Sequence, residues 1–222
     1  MTATQGLAPT GLFGGTFDPI HVGHLRTAFE ILEALQLEAM RFLVAGEPPH
    51  RESIHADAAT RAALVRAAIA DEPRFQLDER ELHRQGPSYT VDTLAELRAE
   101  QPRRSLCLVL GMDAFLGLPG WHRWQELLAH AHVVVAHRPG WQAPQAGVLG
   151  ELLARHGTAD PAELHRVPAG RIHVRPVTQL EISSSAIRAL VRAGQTPRYL
   201  VPDPVCRLLA DSGCYRAAAE GN

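Results

Sequence analysis

Six short apolar runs, separated by stretches of helical pattern, constrain this chain more than any other feature. The runs are Gly11–Phe13, Met40–Ala45, Arg74–Leu77, Leu106–Leu110, Val133–His137 and Ile172–Val177. Several, such as LCLVL and VVVA, are apolar at every position, as parallel strands covered on both faces must be. Helical stretches fall between them at about 22–37, 57–71, 90–100, 122–130 and 183–193, with Asp57 and Thr90 as candidate N-cap regions. The alternation predicts an α/β fold: a mainly parallel sheet with helices on both faces and right-handed crossovers. Ligands of such sheets bind beyond the carboxyl ends of the strands. Residues 139–170, rich in Gly, Pro and Ala, interrupt the alternation. They predict a surface excursion with a short helix near Val148–Arg155, inside a single domain spanning 1–222. Pro202 and Pro204 introduce a last helix near Val205–Asp211, and the tail RAAAEGN is expected to fray.

The first run ends in GGTFDPIHVGH, residues 14–24. A strand therefore closes on a glycine pair, turns, and delivers two histidines to a helix start. Gly14 and Gly15 let the backbone approach a ligand and adopt φ/ψ values closed to other residues. Pro19 fixes φ in the turn, and Asp18 can hydrogen-bond the local backbone. The helix start adds free N–H groups and the positive end of a dipole, a natural anion site. His21 and His24, at i and i+3, share a face. Two imidazoles beside an anion site point to a polyphosphate. The same pair could ligate a metal, but a zinc site needs a third and usually a fourth ligand, and His50 and His55 nearby lack ligand spacing. Neither GxxxxGK[ST] nor GxGxxG is present, so this is neither a P-loop nor a dinucleotide fingerprint.

Charge and composition exclude several classes. With 22 basic and 24 acidic residues and no basic run, the chain has no electrostatic footprint for nucleic acid. Cys107, Cys206 and Cys214 form no CxxC, and the N-terminus has neither a charged nor an apolar leader region. No stretch approaches eighteen apolar residues. These features predict a cytoplasmic protein with reduced thiols and no membrane span. Whether copies assemble into a homo-oligomer stays open. The twelve histidines are mostly scattered singly, as solvated or hydrogen-bonded side chains are.

A second helix start, ISSSAIR at 182–188, sets Ser183, Ser184 and Ser185 before Arg188. One serine there would be an N-cap; three plus an arginine predict a second anion site. PSYTVDTL at 87–94 reads as a capping turn, with Tyr89 covering either the core or a ligand. In GMDAF, Gly111 permits close approach, and Asp113 either caps a helix or meets a ribose or a metal-bound phosphate.

GGTFDPIHVGH resembles the HxGH signature of the nucleotidyltransferase superfamily, and its wording is similar to that of bacterial nicotinate-nucleotide adenylyltransferases. PPHR at 48–51, PSYTVDTL, GMDAFLGLPGWHRWQEL at 111–127 and ISSSAIR agree with that family and in its order. The resemblance covers about residues 10–210 and implies a Rossmann-like fold. It also implies AMP transfer from ATP to nicotinate mononucleotide, with Mg²⁺ carried by the ATP and no metal held by the protein alone. ATP would meet Gly14, Gly15, Thr16, Phe17, Asp18, His21, His24, Gly111, Asp113, Ser183, Ser184, Ser185 and Arg188. His21, His24 and Arg188 would serve catalysis. Ser88, Tyr89 and Thr90 would receive the pyridine carboxylate, and Trp121 would stack on the ring, with Trp124 close by. Arg51 stands where the family usually has lysine beside the mononucleotide phosphate, exchanging a point charge for a planar fork. Arg138 is either a further cation near the nucleotides or an exposed arginine. The alternatives are a sister transferase using nicotinamide mononucleotide or phosphopantetheine, and a nucleotide-binding module without catalysis.

Overall fold

The computed structural model describes residues 8–47, 54–137, 143–178 and 180–216. Six strands, β1 (Thr10–Gly15), β2 (Ala39–Val44), β3 (Phe75–Asp78), β4 (Leu106–Gly111), β5 (His132–His137) and β6 (Ile172–Pro176), match the six apolar runs. All pairings are parallel, in the order β3-β2-β1-β4-β5-β6, the Rossmann-like order expected.

Helices cover both faces. One core layer packs Ala28, Ile31 and Leu32 of α1 (Val22–Ala34) and Leu64 and Val65 of α2 (Ala58–Ile69) under the sheet. Ile187 and Val191 of α8 (Ser184–Arg192) and Val205 and Leu209 of α9 (Asp203–Ser212) complete that layer. The opposite layer takes Val91, Leu94 and Leu97 from α3 (Thr90–Glu100), Phe115 from α4 (Met112–Leu116), Leu127 from α5 (Leu127–His130) and Leu149 from α6 (Gly147–His156). Each of these side chains larger than alanine contributes about 1.5–3 kcal/mol by leaving water.

Three expectations are corrected. The helix expected over 122–130 is broken, because Arg123 takes a left-handed φ of 48°. What forms is a 3-10 turn at Trp124–Glu126 followed by one turn of α5. Residues 143–170 carry the short helix expected near Val148–Arg155, as α6, but they add the short α7 (Glu163–Arg166) and bury Leu149 and Leu164, so this part is not confined to the surface. The last helix starts at Asp203, two residues before the expected Val205. The tail beyond Arg216 lies outside the described residues. No helix among the described residues is long and apolar enough to cross a membrane.

Candidate active site

The sheet is split at its topological switch point. β1 and β4 pair from Thr10/Leu106 only as far as Phe13/Val109. The flanking ladders continue, β1 with β2 to Gly15/Val44 and β4 with β5 to Gly111/Ala136. The ends of β1 and β4 thus diverge and open a cleft of about 330 Å³ between them. Gly14 and Gly111 face each other across it in the sense that a β-carbon on either would meet open space. Neither Gly14 nor Gly15 has a positive φ, which corrects the expectation of special backbone angles there. Their smallness matters instead: a β-carbon on Gly15 would come within 2.9 Å of the Phe17 ring.

On one side of the cleft lie Ser88, Tyr89, Thr90, Trp121 and His122. Tyr89 is the N-cap of α3, so the unpaired first amides of that helix open here. The Ser88 hydroxyl is buried with no partner among the described residues, and the Tyr89 ring lies 4.2 Å from that of His122. Arg123 reaches Asp92 in the first turn of α3 at 3.2 Å, tying the tryptophan turn to that helix. Trp124 turns away from the cleft into a groove against α6. Glu81, not foreseen from the sequence, stands in the cleft wall. Burial raises its carboxyl above the usual range, although the Thr93 hydroxyl donates to it at 2.7 Å.

Beyond the residues that line the cleft, the loop that follows the glycine pair of β1 is polar. His21 is the N-cap of α1 and His24 lies one turn on; their rings stack at 3.7 Å. His24 Nδ1 accepts from the His21 amide at 3.3 Å, and its ring meets the edges of Phe13 and Phe17. His21 is 6% exposed, its Nδ1 has no hydrogen-bond partner among the described residues, and desolvation brings its pKa down to about 4. It is therefore a neutral ring at pH 7. α8 brings its own N-terminus against the same turn. Ser183 caps it by accepting from the Ala186 amide, Ser184 donates to the Pro19 carbonyl at 2.9 Å, and Ser185 accepts from Arg188 at 3.3 Å. Arg188 also donates to the Asp18 carbonyl at 2.7 Å.

Two of the expected ATP contacts turn inward. Phe17, at φ 49°, sends its ring into the core against Phe13 and Phe42. The Asp18 carboxylate is 2% exposed and accepts from the amides of His55 (3.0 Å) and Ala56 (3.1 Å) and from the Tyr215 hydroxyl (2.6 Å). Burial alone would raise this carboxyl, but those bonds and the Arg188 charge outweigh it and hold it below the usual carboxylate range. Asp18 is thus a hub of the fold, since its carboxylate is spent on protein donors. Asp113 stands exposed in the first turn of α4, outside the cleft lining. Arg51 and Arg138 lie outside the described residues.

Arg61 was not legible as a site residue. It is 1% exposed and donates to the carbonyls of Thr16 (2.8 Å), Gly46 (3.1 Å) and Ala56 (3.2 Å). It thereby fixes the chain leaving β1, the chain leaving β2 and the segment before α2. Tyr215 was equally hidden; nothing in its local sequence marks it as reaching the loop after β1. Among the described residues, no three His, Cys, Asp or Glu side chains group as metal ligands.

The sequence profile of the cytidylyltransferase-like family matches residues 12–190. A protein of Aeromonas hydrophila named probable nicotinate-nucleotide adenylyltransferase is 50% identical over 210 residues, covering 95% of this chain and 98% of that protein. One of the same name from Halorhodospira halophila is 52% identical, covering 95% and 97%. Among solved structures, nicotinic acid mononucleotide adenylyltransferase of Plasmodium falciparum, complexed with NaAD, superposes with a TM-score of 0.71 at 15% identity, over 94% of this chain and 97% of that one. At that identity the likeness speaks for the fold.

Proposed function

This chain belongs to the cytidylyltransferase-like family, among the nicotinate-nucleotide adenylyltransferases, and from that premise we propose that it transfers AMP from ATP to nicotinate mononucleotide, giving nicotinate adenine dinucleotide and pyrophosphate. The observation that carries this reading is the cleft at the sheet's switch point, lined by Ser88, Tyr89, Thr90 and Trp121 and by the glycine pair of β1. The loop that continues from that glycine pair carries the stacked histidines, and the start of α8 is hydrogen-bonded to it.

An acceptor phosphate oxygen attacks the α-phosphorus of ATP. The new P–O bond forms as the bond to the β-phosphate oxygen breaks, and pyrophosphate leaves with that electron pair. No covalent intermediate on the protein is required, so the protein's work is alignment and charge stabilisation. His24 and neutral His21 donate N–H groups to the phosphates as charge builds. Ser184, Ser185 and Arg188 hold the departing pyrophosphate at the start of α8, with the dipole of that helix adding to the attraction. Magnesium arrives as part of the ATP substrate. With no cluster of metal-ligating side chains among the described residues, the ion would be held by the phosphates and its own waters, while Arg188 would face the phosphates. Across the cleft Trp121 stacks on the pyridine, and the first amides of α3 with the Ser88 hydroxyl receive its carboxylate. Free thiols at Cys107, Cys206 and Cys214 support a cytoplasmic setting.

The test is pyrophosphate release with ATP and a panel of phosphorylated acceptors. Donors that face an anion are left unpaired or opposed by an amide, so kcat/KM should favour nicotinate over nicotinamide mononucleotide by at least about a hundredfold. Comparable efficiencies would remove the carboxylate assignment. Excess EDTA should stop turnover without moving the melting temperature of the nucleotide-free protein; a large drop would mean a metal held by the protein itself.

A further inference from the structure

We propose that Tyr215 is a positioning residue for the phosphate side of the site, setting where His21 and His24 stand by fixing the Asp18 carboxylate. The segment after α9 is built to deliver this side chain. Gly213 closes the helix at φ 65°, the Arg216 amide returns to the Gly213 carbonyl at 3.1 Å, and the Arg216 guanidinium reaches the Ala210 carbonyl at 2.9 Å. Within this turn Tyr215 holds a left-handed φ of 68°. A residue with a β-carbon adopts that region at a cost, so the surroundings must over-determine it. They do: the ring is buried, 8% exposed, in the same apolar layer as Phe17, Ile20 and Ala56, and its hydroxyl donates to Asp18 at 2.6 Å.

The route from Asp18 to the histidines is short and covalent. Pro19 and Ile20 separate it from His21, Ile20 is fully buried, and the Pro19 carbonyl is held by Ser184. The carboxylate is the point where three separate segments meet. It joins the loop after β1 to the segment before α2 through His55 and Ala56, and to the chain after α9 through Tyr215. The other groups facing it are the His55 ring at 3.4 Å and the Arg188 guanidinium at 3.7 Å. Tyr215 is not among the residues that line the cleft, so the proposed effect on chemistry passes through Asp18.

The kinetic part of this inference rests on the proposed reaction, and the experiment separates the two. In the full chain, Tyr215→Phe removes the hydroxyl and keeps the ring. Turnover of the unaltered protein with ATP and nicotinate mononucleotide tests the reaction by itself. Amide hydrogen exchange at His55 and Ala56 in the nucleotide-free protein tests the positioning without any reaction. The variant should exchange about tenfold faster at those two amides and lose about tenfold in kcat, the scale of one hydrogen bond to a charged group. KM for both substrates should stay within about twofold, because the bond is not a substrate contact. In a His24→Ala background the same change should cost less than about twofold, since a positioning effect on an absent side chain has nothing left to act on. Unchanged exchange, unchanged kcat, or an undiminished loss on top of His24→Ala would each overturn the proposal. If Tyr215→Phe does not melt cooperatively, Asp18→Asn weakens the same bond from the other end and is read by the same measurements.

Discussion

The two groups of residues assigned above to the ring and to the phosphates of the proposed reaction are built on opposite plans. On the ring side, Ser88, Tyr89, Thr90 and Trp121 sit near the surfaces of their own elements, and their free edges and amides open into the cavity. On the phosphate side the reactive loop is cross-tied before any ligand arrives: Arg61 to Thr16, Tyr215 to Asp18, Arg188 to Asp18 and Ser184 to Pro19. The chemistry explains the difference. A flat ring needs walls and a few donors, and a small misplacement weakens binding mildly. Charge that develops at phosphorus needs donors fixed in advance, because reorganising them during the reaction would return the energy they supply. Substitutions on the ring side should therefore change substrate affinity alone, whereas those on the phosphate side should change turnover or stability.

The largest effect that would sharpen this contrast is His24→Ala. Loss of one donor to developing charge raises the barrier by about 2.7–4 kcal/mol, so turnover should fall roughly a hundred- to a thousandfold while ATP still binds. Steady-state kinetics beside calorimetric ATP titration checks both halves. A fall of only a few-fold would dissolve the distinction between the sides.

Acid comes next. Free histidine titrates near 6.5, but the native His21 ring stays neutral down to about 4. As pH falls below 6.5, the unfolded chain takes up a proton that the folded one refuses, so stability is full above that pH and is lost towards pH 4, by roughly 3 kcal/mol. Burial lowers His132 in the same direction. Denaturant midpoints between pH 7 and 4 should therefore drop, and His21→Asn should flatten the curve without abolishing it. An unchanged slope in the variant would show that His21 is not the group being strained.

Trp121→Ala probes the other side. An aromatic stack is worth about 0.5–1.5 kcal/mol beyond area, so KM for the mononucleotide should rise about two- to tenfold while KM for ATP and the melting temperature hold. A fall in kcat of similar size would break the comparison. The smallest effect on stability belongs to Ser184→Ala, which leaves the Pro19 carbonyl without its hydroxyl partner and, on the proposed role of Ser184, also lowers turnover. About 1 kcal/mol and some 2–4 °C in melting temperature are expected by calorimetry.

These asymmetries also decide what a reader of the bare sequence can see. The strands were legible because buried parallel strands are apolar throughout, and the parallel sheet followed from their alternation with helices. His21 and His24 were legible because the glycine pair, the turn and the helix start are contiguous. The ties that hold them were not. Arg61 meets Thr16 from 45 positions away and Tyr215 meets Asp18 from 197, and no local pattern encodes such a meeting. Asp18 shows the same limit: its segment suggests bonds to the local backbone, whereas the donors that occupy it come from His55, Ala56 and Tyr215. The break in the helix over 122–130 turns on one backbone angle at Arg123, in a residue type that rarely adopts it.

The distance between Asp18 and Tyr215 along the chain also sets an order in time. A ribosome adding about 5–20 residues per second needs on the order of ten to forty seconds to pass from one to the other. During that interval β1, the glycine pair and both histidines are outside or leaving the tunnel, yet the carboxylate beneath them lacks its phenol. Non-local closures of this kind come last in folding, because the intervening chain must be ordered before they can form. The nascent protein can therefore assemble most of its sheet while its phosphate side stays unlocked, and a release cut short before the turn at Gly213 yields a folded fragment with a slack loop. On the proposed role of Tyr215, competence arrives only with the turn that follows α9.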